Sequence, residues 1–250
     1  MEIERKKFQG VLNILSFNRH FYIIGCIVLG LITMSWILFN WSNLLYYIIV
    51  SGFTYGLLMP LIISAYVYDF SGYYDFEWLK DCNIPDSNSK KIININAGFD
   101  ETSFILKRHF PKSDLQVFDF YNPKQHTESA IVRARKASLV YPKTQQINTD
   151  TIPLEEKSTD VIFLLSAAHE IRSFREKVSF LKECRRVCKP GGKVIMIEHL
   201  RDLPNFLAFS IGFTHFFSRN TWEKAYIEAG FTLIEETKFT PFISIFNCHP

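Results

Sequence analysis

The hydrophobic pattern begins with two long apolar runs, Phe21–Phe39 and Leu44–Tyr66, and residues 21–68 contain no Asp, Glu, Lys or Arg. As helices that rise about 1.5 Å per residue, both runs are long enough to cross a hydrocarbon core of about 30 Å. The residues that join them, 40–43, carry no charge. The pattern therefore predicts an α-helical transmembrane hairpin over residues 21–68.

The residues around this hairpin indicate how it is placed. Aromatic side chains, which are expected at a membrane interface, cluster near its turn: Trp36, Trp41, Tyr46 and Tyr47. Basic residues before it favour a cytoplasmic amino end: Arg5, Lys6, Lys7 and Arg19. We therefore expect two membrane spans. Because a hairpin returns the chain to the side on which it started, we expect the rest of the chain to lie in the cytoplasm. The alternative is a helical hairpin buried in a soluble protein, although soluble core helices rarely run this far without a charge.

Shorter segments flank the hairpin on both sides. Residues 1–20 predict an amphipathic helix that lies on the membrane surface, with a basic margin and one apolar face. The apolar face consists of Phe8, Val11, Leu12, Ile14 and Leu15. Residues 69–89 are polar with scattered aromatic side chains, so they predict a linker whose tip lies at 86–89.

From residue 90 onward, strand and helix patterns alternate, which predicts a parallel sheet with crossover helices. The predicted strands are Ile92–Asn96, Leu115–Phe120, Gln146–Asn148, Asp160–Leu165, Lys193–Ile197, Phe231–Thr237 and Phe242–Asn247. The predicted helices are Glu101–Phe110, Glu128–Val140, Phe174–Cys188 and Thr221–Ala229. The chain is therefore expected to carry an α/β domain over residues 90–250.

Charge and cysteine content narrow the range of partners. The formal net charge is +3 without a dense run of Lys and Arg, so nucleic acid is not an expected partner. The five cysteines form no CxxC pair, which is typical of reduced, mostly buried thiols. Cys184 and Cys188 lie one helical turn apart, but no further ligands follow at zinc spacing, and we expect no metal site.

The segment Leu181–His199 reads LKECRRVCKPGGKVIMIEH. This pattern predicts an amphipathic helix, a break at the Pro-Gly-Gly sequence 190–192, and then a buried strand. The segment resembles the helix and fifth strand of class I S-adenosylmethionine-dependent methyltransferases (methyltransferase-11-like), where the helix ends in RVLKPGG. The resemblance extends over residues 90–250. It implies a Rossmann-like sheet of seven strands with a C-terminal antiparallel strand pair, and S-adenosyl-L-methionine as the cofactor.

The loop after the first predicted strand reads NINAGFD from Asn94 to Asp100. The family carries an acidic residue and G-x-G-x-G here, so the resemblance implies cofactor contacts for Asn94, Asn96 and Gly98. Only Gly98 remains a glycine, which lets the backbone approach a ligand closely. A nicotinamide cofactor needs more glycines around its phosphates. Because S-adenosylmethionine has no phosphate, the single glycine favours the methyl donor.

Asp119 ends the second predicted strand. A carboxylate at this strand end can accept both hydrogen bonds from a ribose diol. The resemblance implies that Asp119 and the neighbouring Phe120 contact the nucleoside and that Asp150 contacts the adenine. An alternative role for Asp119 is to cap the turn before Asn122.

Candidate catalytic residues follow the fourth and fifth predicted strands: His169 and Glu170, then Glu198 and His199. The carboxyl ends of parallel strands meet at one edge of a sheet, so both pairs can line one pocket. Methyl transfer needs alignment of donor and acceptor, and a hydroxyl, phenol or thiol acceptor also needs a base. A histidine beside a glutamate suits that role, and we expect His199 to be the base, with His169 as the second choice. Helix capping and loop ion pairs are the alternative roles.

Residues 205–217, NFLAFSIGFTHFF, are strongly apolar. They form either a core helix or a cover that meets the membrane and admits a lipophilic acceptor. Together with the hairpin, they favour a membrane-anchored methyltransferase that modifies an O, N or S atom of a hydrophobic small molecule or lipid. The alternatives are a catalytically degenerate fold that serves as a membrane-tethered binding or scaffold subunit, and a soluble methyltransferase with a buried hairpin.

Overall fold

The computed structural model describes residues 5–84, 90–126, 129–137 and 140–250. Within these residues, a seven-stranded sheet has the strand order β3-β2-β1-β4-β5-β7-β6. The strands are β1 Lys91–Asn96, β2 Asp114–Asp119, β3 Gln145–Gln146, β4 Thr159–Leu165, β5 Cys188–His199, β6 Leu233–Thr240 and β7 Ile243–His249. The first five strands pair in parallel, and β7 is antiparallel to both β5 and β6. The predicted α/β sheet and its terminal antiparallel strand pair are confirmed.

Helices precede the sheet and connect its strands. Their bounds are α1 Gln9–Phe17, α2 Arg19–Phe39, α3 Asn43–Ser64, α4 Ser103–His109, α5 Ser129–Ala137, α6 Phe174–Val187, α7 Leu203–Phe209 and α8 Arg219–Ala229. The helix predicted over 128–140 is described only over the range of α5, because residues 127–128 and 138–139 lie outside the described ranges. Ser173 caps α6 by accepting a hydrogen bond from the backbone NH of Glu176.

The apolar central strands contribute to two cores, one on each face of the sheet. Successive side chains of a strand point to opposite faces. Ile93 of β1 and Ile162 of β4 belong to one buried cluster, whereas their neighbours Ile92 and Val161 belong to the other. This explains why the strands read as continuous apolar runs rather than as alternating patterns.

The segment predicted as a linker, residues 69–89, packs on the second face of the sheet over its described part. Tyr73, Phe76, Trp78 and Cys82 are buried there, in and before a short 3-10 helix that spans Glu77–Cys82. The scattered aromatic side chains of this segment therefore cover the sheet instead of lying in a polar connection. The tip predicted at 86–89 lies outside the described residues.

The Pro-Gly-Gly sequence 190–192 lies inside β5 rather than before it. β5 begins at Cys188, directly after α6 ends at Val187, and residues 190–192 interrupt its pairing with β4. Gly192 is required for a close approach of two strands. A Cβ atom at this position would lie 2.8 Å from the carbonyl oxygen of Asp160 and 2.8 Å from the sulfur of Cys188.

The helices α2 and α3 form the predicted hairpin, and α3 continues through a π-helical turn to Phe70. Both helices are long and apolar enough to cross a membrane. In α2, none of the apolar stretch that could cross a membrane is buried. In the segment Asn43–Phe70, 6% of the corresponding stretch is buried. A hairpin buried in a soluble core does not fit this exposure. Near the turn, Trp36 stacks on Tyr46 with ring centroids 4.5 Å apart.

The helix α1 contacts the α/β domain, although it is predicted to lie on a membrane surface. Its last residue, Phe17, is buried, and the ring of Phe17 lies 5.3 Å from that of Phe99 in the loop after β1. Asp69 Oδ1 accepts a hydrogen bond of 2.8 Å from the backbone NH of Gly10. Arg5, just before α1, forms an ion pair of 2.6 Å with Glu101. These polar contacts fix α1 between the hairpin and the loop that follows β1.

Candidate active site

The loop after β1 uses its polar side chains to hold its own shape. Gly98 has φ +82°, a left-handed conformation that favours glycine, and its NH donates to Asn96 Oδ1 at 2.7 Å. Asn94 Nδ2 donates to the hydroxyls of Thr102 at 3.1 Å and Ser103 at 2.8 Å, so this side chain ties β1 to the start of α4. Asp100 Oδ1 accepts from the backbone NH groups of both residues. Asn94, Asn96 and Asp100 stand where the family pattern has an acidic residue and two glycines. Each of them therefore has a hydrogen-bond partner at the start of this loop or of α4.

Asp119, the predicted ribose-binding carboxylate, lies next to Gly98. Asp119 pairs with Asn96 across β1 and β2, and its Oδ2 lies 2.9 Å from the point that a Cβ atom of Gly98 would occupy. The second carboxylate oxygen accepts a hydrogen bond of 2.8 Å from the NH of Tyr121. The predicted turn-capping role and the predicted position beside the glycine are therefore both present.

An arginine that the sequence analysis did not single out occupies the space between these two residues. Arg135 of α5 donates from Nη1 to Asp119 Oδ2 at 2.7 Å and to the carbonyl oxygen of Ala97 at 2.9 Å. Its guanidinium lies 4.1 Å from the ring centroid of Tyr121. A Cβ atom on Gly98 would lie 1.4 Å from Nη1. A ribose that binds to Asp119 must therefore displace this guanidinium.

A cavity of about 250 Å³ opens next to Phe120, the residue that follows Asp119 in the chain. It is lined by Phe120, Asn122, Gln125, Asn148, Thr149 and Asp150. The predicted nucleoside contact Phe120 and the predicted adenine contact Asp150 thus share one cavity. A carboxylate, a glycine with positive φ and a space beside an aromatic ring therefore lie at the edge of the sheet where open α/β sheets bind ligands.

The second predicted group lies at the carboxyl ends of β4 and β5. His169 Nδ1 lies 2.7 Å from Glu198 Oε2, and the NH of His169 donates to Glu198 Oε1 at 3.1 Å. His169 Nε2 lies 3.5 Å from Glu170 Oε1. Burial lowers the pKa of His169, but the charges of Glu198 and Glu170 and their hydrogen bonds outweigh it and raise this pKa to about 10. Both ring nitrogens of His169 therefore face carboxylates.

His199 has a different environment, although it is adjacent to Glu198. Asn205 Nδ2 donates to Asp202 Oδ1 and to the carbonyl oxygen of Phe242, so Asn205 Oδ1 accepts from His199 Nδ1 at 3.0 Å. The other ring nitrogen, Nε2, therefore accepts from the hydroxyl of Tyr68 at 2.8 Å. Burial lowers the pKa of His199 to about 4, against an opposing hydrogen bond to Asn205. His199 is a neutral imidazole at pH 7 with a defined tautomer.

Aromatic residues from outside the sheet complete the surroundings of His199. Phe216 stacks on the imidazole with centroids 4.8 Å apart and an interplanar angle of 20°. Tyr73, from the segment after the hairpin, hydrogen-bonds to Ser166 at the end of β4 with an O–O distance of 3.0 Å. Burial raises the pKa of Tyr73, so this hydroxyl stays protonated. The end of the hairpin thus forms one wall of the site.

Four residues of this site have no role in the sequence-based predictions: Tyr68, Tyr73, Arg135 and Asn205. Tyr68 and His199 are separated by 131 positions in the chain, and no periodic signal relates them. Arg135 gives a weak signal, because it is a basic residue in the last turn of the helix that follows β2. Such a position can reach the strand end that carries Asp119.

Comparisons with known proteins agree with this fold. Residues 106–196 match the family model described as a methyltransferase domain. A solved SAM-dependent methyltransferase from Aquifex aeolicus is similar in fold, with a TM-score of 0.51 and 17% identity over 76% of this chain and 97% of that one. The seven-stranded mixed sheet with its helices is thus that of a Rossmann-like methyltransferase fold.

Curated relatives extend the comparison at the level of sequence. The demethylmenaquinone methyltransferase of Thermotoga maritima is 26% identical over 56% of this chain. A highly reducing polyketide synthase of Pyrenophora dematioidea is 31% identical over 31% of this chain. The chain spans 55% of the first relative and 3% of the second. Together, the comparisons support a SAM-dependent methyltransferase and S-adenosyl-L-methionine as its cofactor.

Proposed function

We propose that this chain is a membrane-anchored, SAM-dependent methyltransferase that acts on an O, N or S atom of a hydrophobic small molecule or lipid-like acceptor. One observation carries the proposal. The end of the second candidate membrane span joins the active site directly, because Tyr68 hydrogen-bonds to the candidate base His199. A membrane anchor that ends at the catalytic residue suits an acceptor that resides in the membrane.

The cofactor half of the proposed site consists of Gly98, Asp119, Phe120 and Asp150. Asp119 would hold the ribose hydroxyls once Arg135 turns away, and the cavity lined by Phe120 and Asp150 would hold the adenine. Arg135 is partly exposed, with 28% of its side chain accessible, so its displacement costs little packing. When bound, S-adenosylmethionine supplies an electrophilic methyl group on a sulfonium.

The catalytic half consists of His199 and the groups that orient it. Asn205 holds the proton on Nδ1, so Nε2, which accepts a hydrogen bond from the Tyr68 hydroxyl, is the ring nitrogen that can take up a proton. As the acceptor oxygen or sulfur takes the methyl group, its proton passes to His199 Nε2, either directly or through the Tyr68 hydroxyl. We prefer His199 over His169 because both ring nitrogens of His169 face carboxylates.

A hydrophobic acceptor is supported by an apolar cavity between the hairpin and the domain. This cavity of about 280 Å³ is lined by Met59 and Ile63 of α3, Leu203 and Leu207 of α7, and Phe242. The two helices are in contact, since the Tyr55 hydroxyl donates to the carbonyl oxygen of Leu207 at 2.6 Å. The name of the Thermotoga relative includes a quinone, demethylmenaquinone, which agrees with a lipophilic acceptor.

The second candidate function is a catalytically degenerate, membrane-tethered scaffold. The observation in its favour is the occupation of the ribose position by Arg135, which pairs with Asp119. A scaffold would keep this ion pair as a permanent structural contact. An enzyme would release it each time the cofactor binds.

The test is a calorimetric titration of the detergent-purified chain with S-adenosylmethionine and with its demethylated product. We expect both to bind, and we expect Asp119→Ala to weaken binding at least about tenfold, because charged hydrogen bonds contribute about 1.5–3 kcal/mol each. Asp114→Ala is the matched control, since Asp114 is an exposed carboxylate at the other end of the same strand. Absence of binding in the unmodified chain and in Arg135→Ala would favour the scaffold.

A further inference from the structure

Two histidines and a glutamate, residue types that commonly bind metals, lie close together beside the site described above. His169 and Glu170 lie in a 3-10 turn, Ala168–Glu170, directly after β4, and His215 ends the 3-10 helix Ser210–His215. One ligand atom from each of the three lies within 4.8 Å of the others. His169 Nε2 lies 3.5 Å and His215 Nε2 lies 4.0 Å from Glu170 Oε1.

These distances are close to those of a metal site. Ligand atoms about 2.1 Å from one ion are separated by about 3.4 Å at a tetrahedral angle. The separation of His169 and Glu170 already has about this value, and the 4.0 Å between His215 and Glu170 exceeds it by about 0.6 Å. Two imidazoles and one carboxylate with open positions are the donors of catalytic zinc sites and of non-haem iron sites.

A buried carboxylate next to this cluster provides an independent argument. Metal-binding histidines usually donate their second ring NH to a carboxylate, which fixes the ring. Glu198 is completely buried, and its two oxygens contact the ring Nδ1 and the backbone NH of His169. The Nε2 atom of His169 is thereby directed toward Glu170.

Two further features fit a bound cation. Among the described residues, Glu170 Oε2 is buried without a hydrogen-bond partner, and Glu170 is only 5% exposed. Arg172 Nη1 donates to the carbonyl oxygens of His169 at 3.2 Å and His215 at 2.6 Å. This arginine joins the two backbone segments that carry the histidines, so the cluster is held together by a contact outside it.

We propose that His169, Glu170 and His215 bind one divalent first-row transition-metal ion, with Glu198 orienting His169. This revises the expectation that the chain has no metal site. That expectation considered Cys184 and Cys188, which are buried in the core, whereas His215 joins the cluster only in the folded chain. If the chain transfers methyl groups as proposed above, the ion lies where an acceptor hydroxyl can bind to it and become more acidic.

The test is a calorimetric titration of the detergent-purified full chain with Zn²⁺ after removal of metals by a chelator. We expect one Zn²⁺ per chain. Glu170→Gln and His215→Ala should each weaken binding at least about tenfold, and Glu198→Gln, which removes only the orienting carboxylate, should weaken it about 10- to 100-fold. His249→Ala is the control, because this histidine lies at the end of β7 and should leave Zn²⁺ binding unchanged.

Thermal unfolding without metal shows whether each variant folds, and Glu170→Gln keeps the size of the side chain if His215→Ala fails to fold. No Zn²⁺ binding by the unmodified chain would overturn the proposal. Equal binding by the folded Glu170→Gln and His215→Ala variants would also overturn it. The titration uses neither cofactor nor acceptor, so its result is separate from that of the proposed methyl transfer.

Discussion

Asp119 is in contact with Arg135, and in the proposed cofactor site a ribose that binds to Asp119 competes with this contact. The ion pair of 2.7 Å is partly exposed, with 28% of the Arg135 side chain and 10% of the Asp119 side chain accessible. Partly exposed ion pairs contribute about 0–1 kcal/mol, so their loss is a modest penalty. In the proposed site, Arg135 would therefore lower the affinity for the nucleoside only modestly.

Replacement of Arg135 by alanine should strengthen the binding of S-adenosylmethionine about two- to fivefold, because the ribose no longer has to displace the guanidinium. Calorimetric titration of the purified variant measures this change. Arg133→Ala is the control, since Arg133 lies on the same helix but contacts the carbonyl oxygen of Phe17. Weaker binding in Arg135→Ala would instead mean that the guanidinium contacts the cofactor.

His199→Ala should lower the turnover number at least about a hundredfold if His199 is the base, because positioned general bases contribute about 10²–10⁴. The affinity for S-adenosylmethionine should stay the same, since His199 lies at the end of β5, away from Asp119 on β2. A methyl-transfer assay and a calorimetric titration on the same sample separate the two effects. Unchanged turnover would remove His199 from this role.

The pH dependence of turnover tests the same residue. The base must be neutral to accept a proton, and burial lowers the pKa of His199 from 6.5 to about 4. Turnover should therefore remain constant from about pH 8 down to about pH 5 and decrease only when His199 becomes protonated near pH 4. A decrease centred near pH 6.5 would contradict this assignment.

The sequence predicted the site residues at strand ends, but it did not predict the residues that contact them. Asp119, Glu198 and His199 could be predicted because the carboxyl end of each parallel strand lies at the same edge of the sheet. Their partners Tyr68 and Asn205 come from other segments, and only the fold brings them close. The roles that the sequence assigned to these residues in cofactor binding and catalysis remain predictions.

At the scale of the elements, most strands lie where the hydrophobic pattern predicts them, but two segments differ. β5 starts at Cys188 rather than Lys193, because the Pro-Gly-Gly sequence is an irregularity within the strand. The described part of the predicted linker, residues 69–84, packs on the sheet rather than forming a polar connection. The sequence pattern could not reveal this second case, since scattered aromatic side chains have no period that relates them to a strand face.

Gly192→Ala should lower the free energy of unfolding by about 1–3 kcal/mol, because the added methyl group would overlap the carbonyl oxygen of Asp160 and the sulfur of Cys188 at 2.8 Å each. Gly191→Ala is the matched control, since a Cβ atom there has no neighbour within 4 Å among the described residues. Thermal or chemical unfolding of both variants gives the comparison. Equal stability of the two variants would show that the close approach at Gly192 is not required.

At the scale of the whole molecule, the hairpin and the domain act as one unit in the proposed function. The apolar surface of α2 and α3 is exposed, and the chain returns from α3 directly into the active site. Leu31 lies in α2 and is 61% exposed. In water an exposed leucine tolerates a charged replacement, whereas a lipid-facing one does not.

Leu31→Lys should therefore reduce the fraction of chain that remains with membranes after an alkaline carbonate wash, because a lysine at the centre of a span costs about 2.5–3.5 kcal/mol. Ile227→Lys is the control, since Ile227 lies in α8, outside both candidate spans, and is 64% exposed. A hairpin in water would respond equally to both substitutions. In that case the chain would leave the membrane fraction without detergent even when unmodified.

The most direct measurement is the transfer of labelled methyl groups from S-adenosylmethionine into the lipid extract of membranes that contain this chain. We predict label in the organic phase with the unmodified chain, and its loss with Asp119→Ala and with His199→Ala. Label that appears only in water-soluble products would contradict a lipophilic acceptor. Absence of any label, in a chain that also fails to bind S-adenosylmethionine, would contradict methyl transfer itself.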